Sequence, residues 1–196
     1  MTQMAIPGYT LGTDAVPRSP LTPADLDLLK QTVLLTDDDI AALRLSRAVL
    51  EDQVDAILDV WYGFVGSHPH LLYFFTGRTD SQPIGEYLSR VRTRFGQWIL
   101  DTAAANYDQT WLDYQDEIGR RHQDKKNVTD AVDSVPIINF RYLTTLIVPI
   151  VTTLKPFLAA KGHSPEDVDK MHQAWLKSVI LQITLWSRPY IKDGQF

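Results

Sequence analysis

From residue 22 onward, apolar positions return every three or four residues, the spacing of one face of an α-helix. "T-P-A-D" at 22–25 opens the first helix. Thr22 takes the N-cap, Pro23 the first helical position, and Asp25 meets the free amides of the first turn. That helix is expected to reach about Leu35. A second start signal, Thr36 followed by Asp37, Asp38 and Asp39, precedes a stripe that runs from Ile40 and Leu43 through Val49 and Leu50. The stripe continues through Ile57, Leu58, Trp61 and Val65 to about Gly66, as one long run or two helices end to end.

Pro69 opens a short apolar segment, Leu71–Phe75, and residues 76–83 read as a loop. Ile84, Leu88, Val91, Phe95, Trp98 and Thr102 mark another helix face, and residues 107–126 the next helix. A further helix is predicted from the "V-P-I-I-N-F" segment at 135–140 to about Ala160, bent or interrupted by Pro149 and Pro156. Gly162 stops it, Ser164 and Pro165 start the last long helix, and Pro189 ends that one. Residues 1–20 hold Pro7, Gly8, Gly12, Pro17 and Pro20 without periodicity, and read as an extended arm. No clean period-two alternation competes. The fold class is therefore all-α, with residues 1–196 forming one domain.

Composition narrows the chemistry. A net charge of −5 argues against broad nucleic-acid binding. Cysteine is absent, so any metal must be held by His, Asp, Glu or a cofactor. The most apolar stretch, Tyr142–Leu154, carries four threonines and a proline and is too short to cross a membrane. With no secretory leader visible at the start, a soluble cytoplasmic protein is expected.

The candidate chemistry sits in an unpromising place. "D-Y-Q-D-E-I-G-R-R-H-Q-D-K-K-N" at 113–127 is almost all charge and amide, yet Trp111, Tyr114, Ile118 and His122 fall on one helix face. Arg120, Arg121, Asp124 and Lys125 are expected to point elsewhere. Two readings of His122 stand side by side: a core histidine with satisfied ring nitrogens, or a neutral imidazole presented to a metal or cofactor. Gly119 allows close approach of another helix or a flat macrocycle. Trp61 and Tyr62 sit side by side near a helix end, and a buried tyrosine there needs a partner for its hydroxyl. His68 and His70 flank Pro69 as surface or capping residues, and His163 and His172 are expected near the surface. Arg90, Arg92 and Arg94 read mostly as a solvated face. No phosphate loop, nucleophile elbow or paired-carboxylate signature is present.

Five stretches carry a resemblance over nearly the whole chain: "I-P-G-Y-T-L-G" at 6–12, "L-E-D-Q-V-D-A-I-L-D-V-W-Y-G-F-V-G-S-H-P-H-L" at 50–71, "R-V-R-T-R-F-G-Q-W-I-L-D-T" at 90–102, "Y-D-Q-T-W-L-D-Y-Q-D-E-I-G" at 107–119 and "A-W-L-K-S-V-I-L-Q-I-T-L-W-S-R-P-Y" at 174–190. Together they resemble the protoglobins, single-domain relatives of the haem domains of globin-coupled sensors. The resemblance implies a globin fold with an extra N-terminal helix, a bound haem b, and a homodimer through the last two long helices. It makes His122 the iron ligand and Trp61, Tyr62 and Phe95 the distal wall. Leu143, Leu146 and Ile150 line the pocket from the next helix, and Val91, Ile118 and Arg94 join the haem contacts. The N-terminal arm is expected to cover the haem propionates.

Two departures from the family pattern matter. Relatives usually have two adjacent histidines in the proximal helix and one more residue before the lysine pair, where this chain reads Arg121-His122-Gln123-Asp124-Lys125-Lys126. Leu146 and Val148 stand where relatives often carry aromatics, which predicts a roomier ligand site. Two functions follow from the resemblance. One is reversible binding of O₂, CO or NO at a five-coordinate iron, with gas sensing through a separate signalling partner. The other is a haem enzyme acting on NO, nitrite or peroxide, or transferring carbenes from diazo compounds. A cofactor-free helical interaction protein is the remaining reading.

Overall fold

The computed structural model describes residues 5–192 and 194–196. Nine α-helices succeed one another among these residues. They are α1 (Pro23–Thr32), α2 (Asp37–Leu50), α3 (Val54–Gly66), α4 (Pro69–Leu72), α5 (Gly85–Ala104), α6 (Gln109–His122), α7 (Phe140–Thr145), α8 (Ile147–Leu158) and α9 (Pro165–Trp186). Short 3₁₀ turns follow α4 and α9, at Tyr73–Phe75 and Arg188–Tyr190. The only β pairing among the described residues is two isolated bridges, so the chain is all-α as expected.

The starts lie where the capping residues put them. Thr22 and Thr36 each accept from the third helical amide while Asp25 and Asp39 reach back to the cap, closing two capping boxes. Asp108 and Ser164 cap α6 and α9 in the same sense. The long run after Thr36 proves to be two helices, with α2 and α3 separated by residues 51–53.

Two boundaries depart from expectation. The 107–126 helix is shorter, ending at His122. Beyond it the His122 carbonyl accepts from the Ile138 amide (2.9 Å) and from the Tyr190 hydroxyl (2.8 Å). These long-range partners replace the next helical turn. The helix expected up to Ala160 breaks at Leu146, three residues before Pro149. A proline ring clashes with the carbonyl four residues earlier, which here belongs to Thr145, the last residue of α7. Pro156 interrupts nothing: it lies inside α8 on its exposed side.

α9 is the central helix, packed on α2, α6 and α8. Trp175, Met171, Leu181 and Val179 on it are fully buried, and α2 and α5 close the core with Leu43, Leu50 and Ile99. Gly119 shows how tightly α6 meets α9. A Cβ built there would lie 2.9 Å from the Trp186 Cα and 3.0 Å from its carbonyl oxygen. Of the two readings of this glycine, close approach of a helix is the one the fold uses. Residues 5–20 run over the surface without a helix.

Candidate functional site

The main cavity has a volume of about 230 Å³ and lies between α3, α5, α6, α8 and the arm. About 10–15 Å³ of such space already holds one water, so this void is cut for something larger. One wall is apolar and aromatic. α3 supplies Trp61 and Tyr62, and α5 supplies Val91 and Phe95. Trp61 packs on Phe95 (5.7 Å between centroids), and Phe95 stacks on Trp98 at 5.1 Å. Leu143, Leu146 and Ile150 line it from α7 and α8, and Ile118 and His122 from α6.

His122 is held by one hydrogen bond and one stacking contact. Its Nδ1 lies 2.8 Å from the Ile118 carbonyl oxygen. A carbonyl can only accept, so Nδ1 carries the proton and Nε2 keeps a free lone pair. Burial pushes its pKa down to about 4; the Ile118 carbonyl opposes this, and the Lys126 and Arg121 cations reinforce it. The ring is therefore neutral at pH 7. Trp186 stacks on it, centroids 5.1 Å apart and 21° from parallel, and Trp186 is itself fixed by an Nε1–H bond to Gln115 (2.8 Å). A neutral imidazole of this tautomer could ligate a metal through Nε2.

Tyr62 faces the same cavity. Burial raises its pKa, the Arg92 guanidinium opposes that, and no hydrogen bond contributes. The partner that its burial calls for is not among the described residues.

Charge in the cavity wall is the largest surprise. Arg94, which charge pattern put on a solvated face and the resemblance put among the haem contacts, lines the cavity and forms a two-pronged pair with buried Asp130. Arg121, expected to point away, lines it too and pairs with buried Glu117. Both arginines reach the arm: Arg94 donates to the Pro7 carbonyl, and Arg121 to the Gly8 carbonyl and the Thr10 hydroxyl. Lys126 also lines the cavity. It is only 3% exposed, donates to Ser134 Oγ at 3.2 Å and lies over the Tyr87 ring, with no carboxylate partner among the described residues. Burial lowers its pKa to about 8. Asp101 on α5 and Tyr9 on the arm complete this end.

The other expectations sort themselves simply. His70 is exposed, and His68 sits half-buried with Nδ1 2.7 Å from the Phe64 carbonyl. His172 is half-buried against the Val151 carbonyl. No group of three or more His, Cys, Asp or Glu that could hold a metal exists among the described residues. Of the two departures at Leu146 and Val148, only Leu146 lines the cavity; Val148 is 68% exposed and cannot enlarge it. No helix among the described residues is long and apolar enough to cross a membrane.

The cavity's donor set fits a haem. One neutral imidazole could hold an iron, apolar and aromatic walls could pack on a macrocycle, and Lys126 is a buried cation with no carboxylate partner among the described residues.

The family model described as Protoglobin matches residues 22–196. Among solved structures, the chain is similar to the globin domain of the Geobacter sulfurreducens globin-coupled sensor. The TM-score is 0.64 at 16% identity, over 85% of this chain and 97% of that one. No curated protein sequence matches it.

Proposed function

This chain belongs to the protoglobin family, and from that premise we propose that it holds haem b on His122 and reversibly binds O₂, CO or NO. The observation that carries the proposal is the neutral His122 ring, its Nδ1 occupied by Ile118 and its Nε2 free, in the wall of a cavity of about 230 Å³. When bound, haem supplies an iron with one open coordination position. The remaining work belongs to side chains. Tyr62, whose hydroxyl has no hydrogen-bond partner among the described residues, would donate to the partial negative charge of an O₂ ligand, a hydrogen bond of about 1–3 kcal/mol. Trp61 and Phe95 close the distal wall against water. Leu146, aliphatic where the family often carries an aromatic, would leave room beside the ligand. Lys126 and Arg94 face the end of the cavity where the propionates would lie, beneath an arm held by Arg94 and Arg121.

The last two long helices, α8 and α9, carry the proposed dimer interface. Val148 on α8 and Ile180 on α9 are exposed apolar side chains in the separate chain. Sedimentation of Ile180→Glu against the parent tests this. A sensing role would need a signalling partner; the similar structure comes from a sensor, and that is a property of that protein.

The decisive experiment is the absorption spectrum of protein expressed with adequate haem, taken ferric, ferrous and ferrous-CO. A Soret band that shifts on reduction and again with CO is expected, and His122→Ala should lose or weaken it. A colourless protein would refute the proposal and leave the cofactor-free interaction protein.

A further inference from the structure

The aromatic groups that line the cavity differ in where their protons can go. Trp186 donates its indole N–H to the Gln115 amide oxygen at 2.8 Å, and Trp98 donates to that of Gln182 at 2.6 Å. An amide oxygen is no base, so an electron removed from either indole leaves its proton in place. Among the described residues, Tyr62 has no hydrogen bond that could take its proton. Tyr9 differs from all of these. Its hydroxyl donates to Asp101 Oδ2 at 2.8 Å, while Gln97 Nε2 holds Oδ1 at 2.8 Å. Both Tyr9 and Asp101 line the cavity, and the Tyr9 ring is fixed edge-on against Tyr114, centroids 5.5 Å apart.

Losing an electron turns a phenol into a strong acid. A phenol whose proton already lies on a hydrogen bond to a carboxylate is therefore the easiest of these groups to oxidise. We propose that Tyr9 and Asp101 form a proton-coupled redox site that passes one electron at a time to cavity-bound haem during peroxide turnover, making the chain a peroxidase toward small phenols. This rests on the haem reading above. Burial raises the basicity of Asp101 beyond that of an ordinary carboxylate, which helps it take the proton.

The balance closes over one turnover. In each of two steps Tyr9 gives up an electron toward the haem, and its hydroxyl proton crosses to Asp101 Oδ2. An added phenol then transfers one hydrogen atom to the Tyr9 oxygen, restoring the hydroxyl and leaving a phenoxyl radical of the substrate. Asp101 releases its proton toward the reduced peroxide. In sum, one hydrogen peroxide and two phenols give two waters and two phenoxyl radicals. Tyr9 is half-buried on the surface arm, which puts the oxidised residue within reach of such a substrate.

The test mixes haem-loaded protein with hydrogen peroxide, freezes it and records the electron paramagnetic resonance spectrum, with guaiacol oxidation followed in parallel. A tyrosyl radical is expected, narrowed by ring-deuterated tyrosine. It should be lost in Tyr9→Phe, lost or strongly reduced in Asp101→Asn, and recovered in Asp101→Glu, with guaiacol turnover following the radical. An unchanged tyrosyl signal in Tyr9→Phe overturns the proposal. So does a tryptophan radical in the parent that disappears in Trp186→Phe. A parent protein that takes up no haem overturns the reading beneath it, and this proposal with it, and the Soret band separates that failure from the other two.

Discussion

Substituting Gly119 by alanine tests the contact that sets the position of the His122 ring. The new methyl would lie 2.9 Å from the Trp186 Cα and 3.0 Å from its carbonyl oxygen, with Pro189 Cδ at 3.4 Å. Two of these are backbone atoms of α9 and cannot turn aside as a side-chain tip could. The helices must separate by several tenths of an ångström along the crossing that carries Trp186 onto His122. Overpacking of this kind costs about 1–3 kcal/mol, and a backbone contact belongs at the upper end. Replacing a helical glycine by alanine returns about 1 kcal/mol. The net is a loss of about 2 kcal/mol. For a chain of 196 residues that lowers Tm by about 4–8 °C. Gly63 supplies the control: it lies in α3 with nothing within 4 Å of a built Cβ, so Gly63→Ala should stabilise by up to about 1 kcal/mol. Thermal unfolding followed by circular dichroism reads both. If the two alanines shift Tm alike, the crossing is softer than these distances imply and the reasoning fails.

Three further outcomes follow from the cavity. Lys126 has a folded pKa of about 8 against an ordinary value of 10.5. Below pH 8 the buried ammonium opposes folding, and that penalty is relieved as pH rises to 10.5. Stability of the haem-free protein should thus climb across this window, by at most about 3 kcal/mol, and denaturant titrations should show haem loading flattening the slope. Tyr62→Phe should speed O₂ release by about tenfold or more and CO release much less, since bound CO carries little charge; equal changes in stopped-flow measurements would remove Tyr62 from the ligand's side. Arg94→Met leaves Asp130 buried with only the more distant Arg90 and should cost about 3 kcal/mol in urea unfolding, whereas a loss under 1 kcal/mol would mean that Asp130 is solvated.

The helices could be read from local signals because their causes are local. Thr22 with Asp25 and Thr36 with Asp39 are caps closed within four residues. His122 could be placed on the inward face because Trp111, Tyr114 and Ile118 share its stripe. What stayed hidden was set by partners far along the chain. Asp116 is buried because Arg188 reaches it, Gln115 because Trp186 donates to it, and Asp130 because Arg94 does. Local pattern marks each of these as solvent-facing. The same holds for Arg121, whose outward-looking charge turns inward to the arm through Gly8 and Thr10. Pro149 announced a break, and the helix breaks three residues upstream, at Leu146, because the proline ring would clash with the Thr145 carbonyl. Leu146 and Val148 looked equivalent in sequence, but the break at Leu146 turns one to the cavity and the other to solvent.

The arm that crosses the cavity is fastened by the ends of long side chains: two guanidinium groups grip its carbonyls, and one phenol reaches back to a carboxylate. None of the fully buried large side chains of the core comes from it. The helical body can therefore complete its own fold with the arm still loose, and the arm's amides should exchange with solvent far sooner than those of α9. This sets an order of assembly. The helices should close first, a cofactor would enter a finished chamber, and residues 5–20 should settle over it last.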